Sequence, residues 1–157
     1  MRLLVNCEGV QTTQIHEIAA EATVQDLLGA FFEETVEIDA WVVEAQSPLD
    51  GSLSLIELGV VEHTEITITR RVAVEAKVRF NGITRERSFE PQRPTERVFR
   101  WAVGAEGFNL PASQWPEHEL VPAGSSDPVD PRLPVAAYID RDRVARFDLR
   151  RKHAYQG

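Results

Sequence analysis

The sequence predicts an α+β protein built as two small domains in tandem with a flexible C-terminal tail. Three observations carry that reading. The chain has 157 residues, enough for two small cores. One order of elements, two strands, a helix, a strand, a turn or loop and a last strand, can be read twice along it. Charge also changes sharply near residue 71. Residues 1–71 hold 3 basic and 13 acidic side chains, a net of −10, whereas residues 72–157 hold 14 and 12, a net of +2. The expected divisions are residues 1–71, residues 72–150 and a tail at 151–157.

In the first half, "RLLVNCEG" and "VQTTQIHEIA" read as a hairpin that turns near Glu8-Gly9. In "ATVQDLLGAFFEE", Val24, Leu27, Leu28 and Phe31 recur at the spacing of one helix face. Thr23 is the expected N-cap, with Asp26 three residues on completing a shortened capping box. "AWVVEA" reads as a strand, "SPLDG" as a turn and "SLSLIELGVVEH" as an irregular apolar stretch. "TEITITR" then alternates, with Ile66 and Ile68 on one side and Glu65 and Thr67 on the other.

The second half repeats the order. "VEAKVRFNG" sets Val74, Ala76, Val78 and Phe80 against Glu75, Lys77, Arg79 and Asn81, and Asn81-Gly82 signals a tight hairpin into "ITRERSFE". In "PTERVFRWAVGAEG", Pro94 suits a first turn, and Val98, Trp101, Ala102 and Ala105 share a face. "EHELVPAG" reads as a strand. "RVARFDLR" is the last one, with Ala145, Phe147 and Leu149 facing one way. The halves are expected to differ between helix and final strand, where six of the nine prolines fall at 111, 116, 122, 128, 131 and 134. There "PAGSSDPVDPRLP" reads as a surface loop, because proline has no N–H for a sheet ladder. Whether "VAAYIDRDR" holds an extra strand or a turn is left open. The linker "TRRVAVE", without glycine, proline or serine, predicts little freedom between the halves. Trp41, Trp101 and Trp115 are expected in the cores, with exposure an alternative for Trp115.

Several function classes are disfavoured. No apolar run is long enough to span a bilayer, and "MRLLVN" lacks the features of a signal peptide. The single cysteine, Cys7, makes no internal disulfide, so a cytoplasmic protein is expected. It reads as a packed thiol with no histidine nearby in sequence. An acidic first half disfavours nucleic acid. His16, His63, His118 and His153 lack metal-ligand spacing, "GAEG" lacks the P-loop lysine, and no nucleophile triad appears. The expectation is a protein that is no enzyme, holds no cofactor or metal and binds no membrane or nucleic acid.

The repeated plan is that of the β-grasp, and the first half resembles ubiquitin. The chain opens directly on a strand, and Leu49, Asp50, Leu55, Val60, Ile66, Ile68 and Arg70 match ubiquitin's closing section. Two such folds in tandem, with a free tail on the second, resemble the vertebrate interferon-induced tandem ubiquitin-like modifier. The proline-rich loop and the tail are closer to the bacterial modifiers of the Bil and Bub antiphage systems, and the tandem arrangement favours the Bil type. That resemblance implies a substrate of conjugation, partnered by an E1-like enzyme, an E2-like enzyme, a JAB-type peptidase and a target protein. ATP would be used by the E1. The Gly157 carboxylate would be the reacting group.

The tail "LRRKHAYQG" fits that implication in part. From Leu149 to Gly157 there are eight steps, which span about 26 Å at roughly 3.3 Å each. Glycine at the end lets another backbone approach closely. Arg150, Arg151 and Lys152 are read as a cationic guide, and Tyr155 and Gln156 as recognition elements. The tail departs from ubiquitin in lacking a second glycine before Gly157, which implies dedicated partner enzymes. The first domain ends Thr69-Arg70-Arg71 with no glycine pair, so internal cleavage is not expected. Val43 falls near ubiquitin's exposed apolar patch and marks a candidate partner surface, with the outward side of "WVVEA" left open. Two other readings remain: a non-covalent scaffold whose acidic half docks on a basic surface, and a sulfur carrier using the same carboxylate.

Overall fold

The computed structural model describes residues 1–152 and divides into two compact units, Met1–Val72 and one that begins at Ala73. The first holds β1 (Arg2–Cys7), β2 (Gln14–Glu17), α1 (Val24–Gly29), β3 (Ile38–Val42) and β4 (Glu65–Arg70). Its sheet runs β2-β1-β4-β3, with β4 parallel to β1 and the other pairs antiparallel. The second holds β5 (Val74–Phe80), β6 (Ile83–Phe89), α2 (Glu96–Val103), β7 (His118–Pro122) and β8 (Val144–Arg151). Its sheet repeats the pattern as β6-β5-β8-β7, with β8 parallel to β5. Each domain is thus a β-grasp whose last strand lies in the middle of its sheet.

Alternation along the strands puts one face of each sheet under its helix. Leu3, Val5, Ala40, Ile66 and Ile68 meet Val24, Leu27 and Leu28 of α1, with Leu55 and Val60 closing the core. Val74, Ala76, Val78, Ala145, Phe147 and Leu149 meet Val98, Trp101 and Ala102 of α2. The predicted cap is present: Asp26 N–H donates to Thr23 Oγ1 at 3.1 Å, and Thr23 N–H donates to Asp26 Oδ2 at 2.9 Å. Asn81 and Gly82 both take positive φ, 50° and 79°, the geometry a two-residue hairpin needs.

Some boundaries differ from the sequence reading. β3 begins at Ile38, two residues before "AWVVEA", and ends at Val42. α2 stops at Val103, so Ala105 lies beyond it and is exposed, and Val103 fills the core instead. The chain turns back on the helix end through Phe108 N–H to Ala102 O and Leu110 N–H to Val103 O. That turn needs glycine at 107, where a Cβ would lie 2.4 Å from the carbonyl oxygens of both Trp101 and Ala102. Trp101 is core, whereas Trp115 is half-buried and donates its indole N–H to Leu110 O at 2.9 Å. Trp41 is outside the core. It pairs with Thr67, one step out of phase with the Ala40–Ile68 pair that faces the helix.

The stretch expected to distinguish the halves has the same backbone bonding in both. In the first domain, Leu49 N–H bonds Ala40 O, Val24 N–H bonds Leu53 O, Leu55 N–H bonds Ala22 O and Ile56 N–H bonds Ala20 O. In the second, the partners are Val129 and Leu120, Thr95 and Leu133, Val135 and Arg93, and Ala136 and Pro91. Asp50 accepts from Ser52 N–H, as Asp130 accepts from Arg132 N–H. Every residue of β3 and this loop has its counterpart 80 positions on, so "SPLDGSLSLI" and "DPVDPRLPVA" are one motif in two compositions. Proline fits the second copy because the shared bonding calls for no N–H donor at positions 128, 131 and 134. "VAAYIDRDR" forms a buried 3-10 turn over Val135–Tyr138 and then a tight turn in which Asp140 accepts from the N–H groups of Asp142 and Val144.

Candidate functional site

The sequence places its candidate chemistry where β8 ends. The strand is longer than the division at 150 supposes. Arg151 still pairs with His118, and Lys152 N–H donates to Glu117 O at 2.8 Å. The chain is therefore held on the sheet past Leu149, and five steps separate Lys152 from Gly157, about 17 Å at full extension. Tyr155, Gln156 and Gly157 lie outside the described residues, as does His153.

The root of this end lies where β7 begins. His118 is buried, donates from Nδ1 to Gln114 O at 2.8 Å and meets the Phe80 ring edge-on at 5.8 Å. Beside it the Glu117 carboxylate lies 3.5 Å from Arg151, an exposed pair. Arg150 turns toward the proline-rich loop and donates to Ser126 O at 2.7 Å. Lys152 is exposed. Thus Arg150 and Arg151 have local partners, and Lys152 stands nearest the departing chain.

The second candidate is the sheet face turned away from α1. The registers bring Ile15 beside Leu4, Leu4 beside Glu65, and Asn6 beside Thr67, which lies next to Trp41. Val43, just past β3, donates its N–H to Glu65 O at 3.3 Å and is 39% exposed. Trp41 and Val43 therefore point outward and Val42, opposite Ile66, inward. Ile15 is 71% exposed, while Leu4 and Trp41 are half-covered. At the centre Asn6 is fully buried, accepting from Thr13 Oγ1 at 2.6 Å and donating to Glu65 Oε1 at 2.9 Å. Both ends of its amide are satisfied, so a polar residue sits mid-sheet without an unmet donor or acceptor. The side chains of Ile15 and Leu4 were missed by the sequence reading; their period-two phase against buried Leu3 and Val5 was the available signal.

Other chemistry is not assembled. Burial, with the charge of Glu8 adding to it, pushes the Cys7 thiol up to about 11, so it stays protonated at neutral pH. Among the described residues there is no group of three metal-binding side chains, and no helix long and apolar enough to cross a membrane.

Residues 75–152, just under half of the chain, match the family model of the BilA ubiquitin-like domain 2. The match spans β5 to the root of the tail and supports a Bil-type ubiquitin-like protein. No curated protein matches the chain.

Proposed function

We propose that this chain is a ubiquitin-like protein modifier of a Bil-type conjugation system, acting in the cytoplasm in antiphage defence. The observation that carries the reading is the match of its second domain to a Bil ubiquitin-like domain. The chain is the substrate of the chemistry and not its catalyst.

The reacting group is the Gly157 carboxylate, a poor acyl donor until activated. An E1-like enzyme joins it to the α-phosphoryl of ATP, releasing pyrophosphate. A cysteine thiolate of the E1 attacks the acyl carbon, AMP leaves, and a thioester forms. An E2-like enzyme takes the acyl group onto its own cysteine and frees the E1 thiol. A target amine then attacks, the E2 thiolate leaves, and the amine's lost proton passes to solvent or a base. A JAB-type peptidase returns the modifier by hydrolysis. Within this scheme β8 fixes where the tail starts, Lys152 guides it into an acidic channel together with Arg150 and Arg151, and Tyr155 and Gln156 fill the recognition pockets next to glycine.

The test incubates the chain with its E1-like enzyme and ATP and resolves the products without reductant. An adduct that thiol reagents remove, and that is lost when Gly157 is deleted, is expected. No adduct, or one that survives the deletion, overturns the reading.

A non-covalent role is favoured by one observation, the outward Ile15–Leu4 and Trp41–Val43 pairs that flank Glu65 and Thr67 of β4 on an acidic domain. Such a surface fits an apolar side chain flanked by lysine or arginine. Val43→Glu, tested by titration against the E1-like and E2-like proteins, would weaken binding at least tenfold if this face docks them and leave it unchanged if it does not.

A further inference from the structure

The β-grasp repeat gives the molecule two equivalent strand ends. Arg70 faces Ile38 as Arg151 faces His118, and Arg71 N–H bonds Glu37 O as Lys152 N–H bonds Glu117 O. The first end carries two basic residues, Arg70 and Arg71, and the second three, Arg150, Arg151 and Lys152. Their side chains are held very differently.

Arg71 donates from Nε and Nη2 to the two oxygens of Asp39 at 2.9 and 3.0 Å, a two-pronged bond that only a guanidinium makes. That bonding raises the Arg71 pKa above its ordinary value. Arg70 donates its backbone N–H to Glu8 Oε1 at 2.8 Å, and its Nε lies 3.3 Å from Glu8 Oε2. The guanidinium of Arg70 sits over the Phe32 ring at 6.0 Å. Both carboxylates are largely covered, Glu8 at 10% and Asp39 at 13% side-chain exposure. The counterparts in the second domain are looser. Glu117 and Arg151 are 3.5 Å apart and exposed, and Lys152, at the place of Arg71, has no guanidinium with which to form the fork.

The geometry points to a lock: Glu8 and Asp39 fasten Arg70 and Arg71 to the first domain, so that an endopeptidase needing an extended basic strand is refused at the junction and served only after β8. Such an enzyme must lift the strand off its sheet and take an arginine side chain into its own acidic pocket. At the junction every group it needs is engaged within the domain: two N–H donors and both guanidinium groups. Cleavage then follows the fraction of time this end is open. The lock stands whether or not the tail is conjugated, and it marks which of two similar strand ends is open to processing.

The composition of the first domain makes the test clean. Apart from Arg2, its basic residues are Arg70 and Arg71 alone, so trypsin reports on this end and on nothing between. The full chain is digested with trypsin at native conditions and followed by intact mass, beside Asp39→Asn and Arg71→Lys. Arg71→Lys keeps the charge and the cleavage site and removes only the fork. A glutamate-specific protease, with sites throughout the first domain, serves as the control for unfolding. In the parent chain, cleavage after residues 150–152 is expected to outpace cleavage after residues 70–71 by at least tenfold. Each variant is expected to speed the junction cut about tenfold, with cleavage after 150–152 and by the glutamate-specific enzyme unchanged. The lock is overturned if the junction is cut as fast as the tail in the parent chain, or if Arg71→Lys leaves its rate unchanged. It is also overturned if glutamate-specific cleavage rises in step in Arg71→Lys, because whole-domain unfolding would then explain the gain. Should Asp39→Asn unfold the domain, Arg71→Lys alone decides.

Discussion

On the first sheet, the face away from the helix carries Leu4, Ile15, Trp41 and Val43 around a buried Asn6–Thr67 centre. On the second, the positions of Leu4, Ile15 and Asn6 hold Lys77, Glu86 and Arg79, while those of Trp41 and Val43 hold Val121 and Ala123. Lys77 lies beside Glu86 and Arg146, and Arg79 lies beside Asp148. The inner faces, by contrast, are both continuous hydrocarbon. Burial under a helix constrains one face of each sheet to the same chemistry. The face left to water is unconstrained by folding, and the two domains have used that freedom in opposite ways. A surface of alternating charge resists apolar contacts, whereas exposed apolar side chains on an acidic domain invite them. The copies are thus equivalent as folds and different as surfaces.

That contrast can be broken most strongly from the inside. Phe147, packed edge-on against Tyr138, is fully buried in the second core alone. Phe147→Ala should cost the second domain about 3–5 kcal/mol. Hydrogen exchange read by peptide should show lost protection there and none in residues 1–72. A smaller effect is expected from the first helix start. Thr23→Ala removes the hydroxyl that accepts from Asp26 N–H and should cost about 1 kcal/mol, seen as a lower urea midpoint for the first domain. The second domain has no such side-chain cap, since Thr95 donates its hydroxyl to Leu133 O instead. Trp41→Ala should cost less than about 1 kcal/mol, although Trp41 is one of the largest side chains present. A larger loss would mean that the open face contributes to folding after all. The smallest effect is nil at neutral pH. The Cys7 thiol is shifted upward from its ordinary 9.0 to about 11 by burial. An acid whose folded value is raised stabilises below the unfolded value, so the first domain should lose stability as pH rises from about 9 to about 11. Cys7→Ala is the reference, because burial also raises the Tyr138 hydroxyl of the second core, and thermal melts of the two chains across that range should show the divergence.

The pattern of these effects follows what was legible from sequence. Strict alternation in "VEAKVRFNG" and "RVARFDLR" reported real sheet faces, because burial under a helix leaves a period of two in the side chains. The Thr23–Asp26 cap and the Asn81-Gly82 turn were legible because each depends on neighbours in sequence. The 80-residue correspondence of the two loops was hidden for the opposite reason. Its bonds join backbone groups, which impose little on side-chain identity, so "SPLDG" and "DPVDP" look unlike while bonding alike. The end of β8 was placed early because its last pairs depend on His118, remote in sequence. For the site, the position of Val43 was legible and its direction was not, since two adjacent valines give alternation no phase. The clamps of Glu8 and Asp39 on Arg70 and Arg71 join residues 62 and 32 positions apart, and no local pattern announces them.

The placing of β4 and β8 at the centre of their sheets has a consequence for synthesis. A ribosome makes the chain from one end, and a sheet whose middle strand comes last cannot close until that strand emerges. Before β8 is made, β7 has no sheet to join, and the hairpin of β5 and β6 presents an open edge. The first domain meets this condition once residue 70 is clear and can be folded while the remainder is still being translated. The second meets it only when residue 151 is out. A truncated product would therefore carry one finished domain and a conspicuously unfinished one, exposing it to degradation before it could pass for the whole.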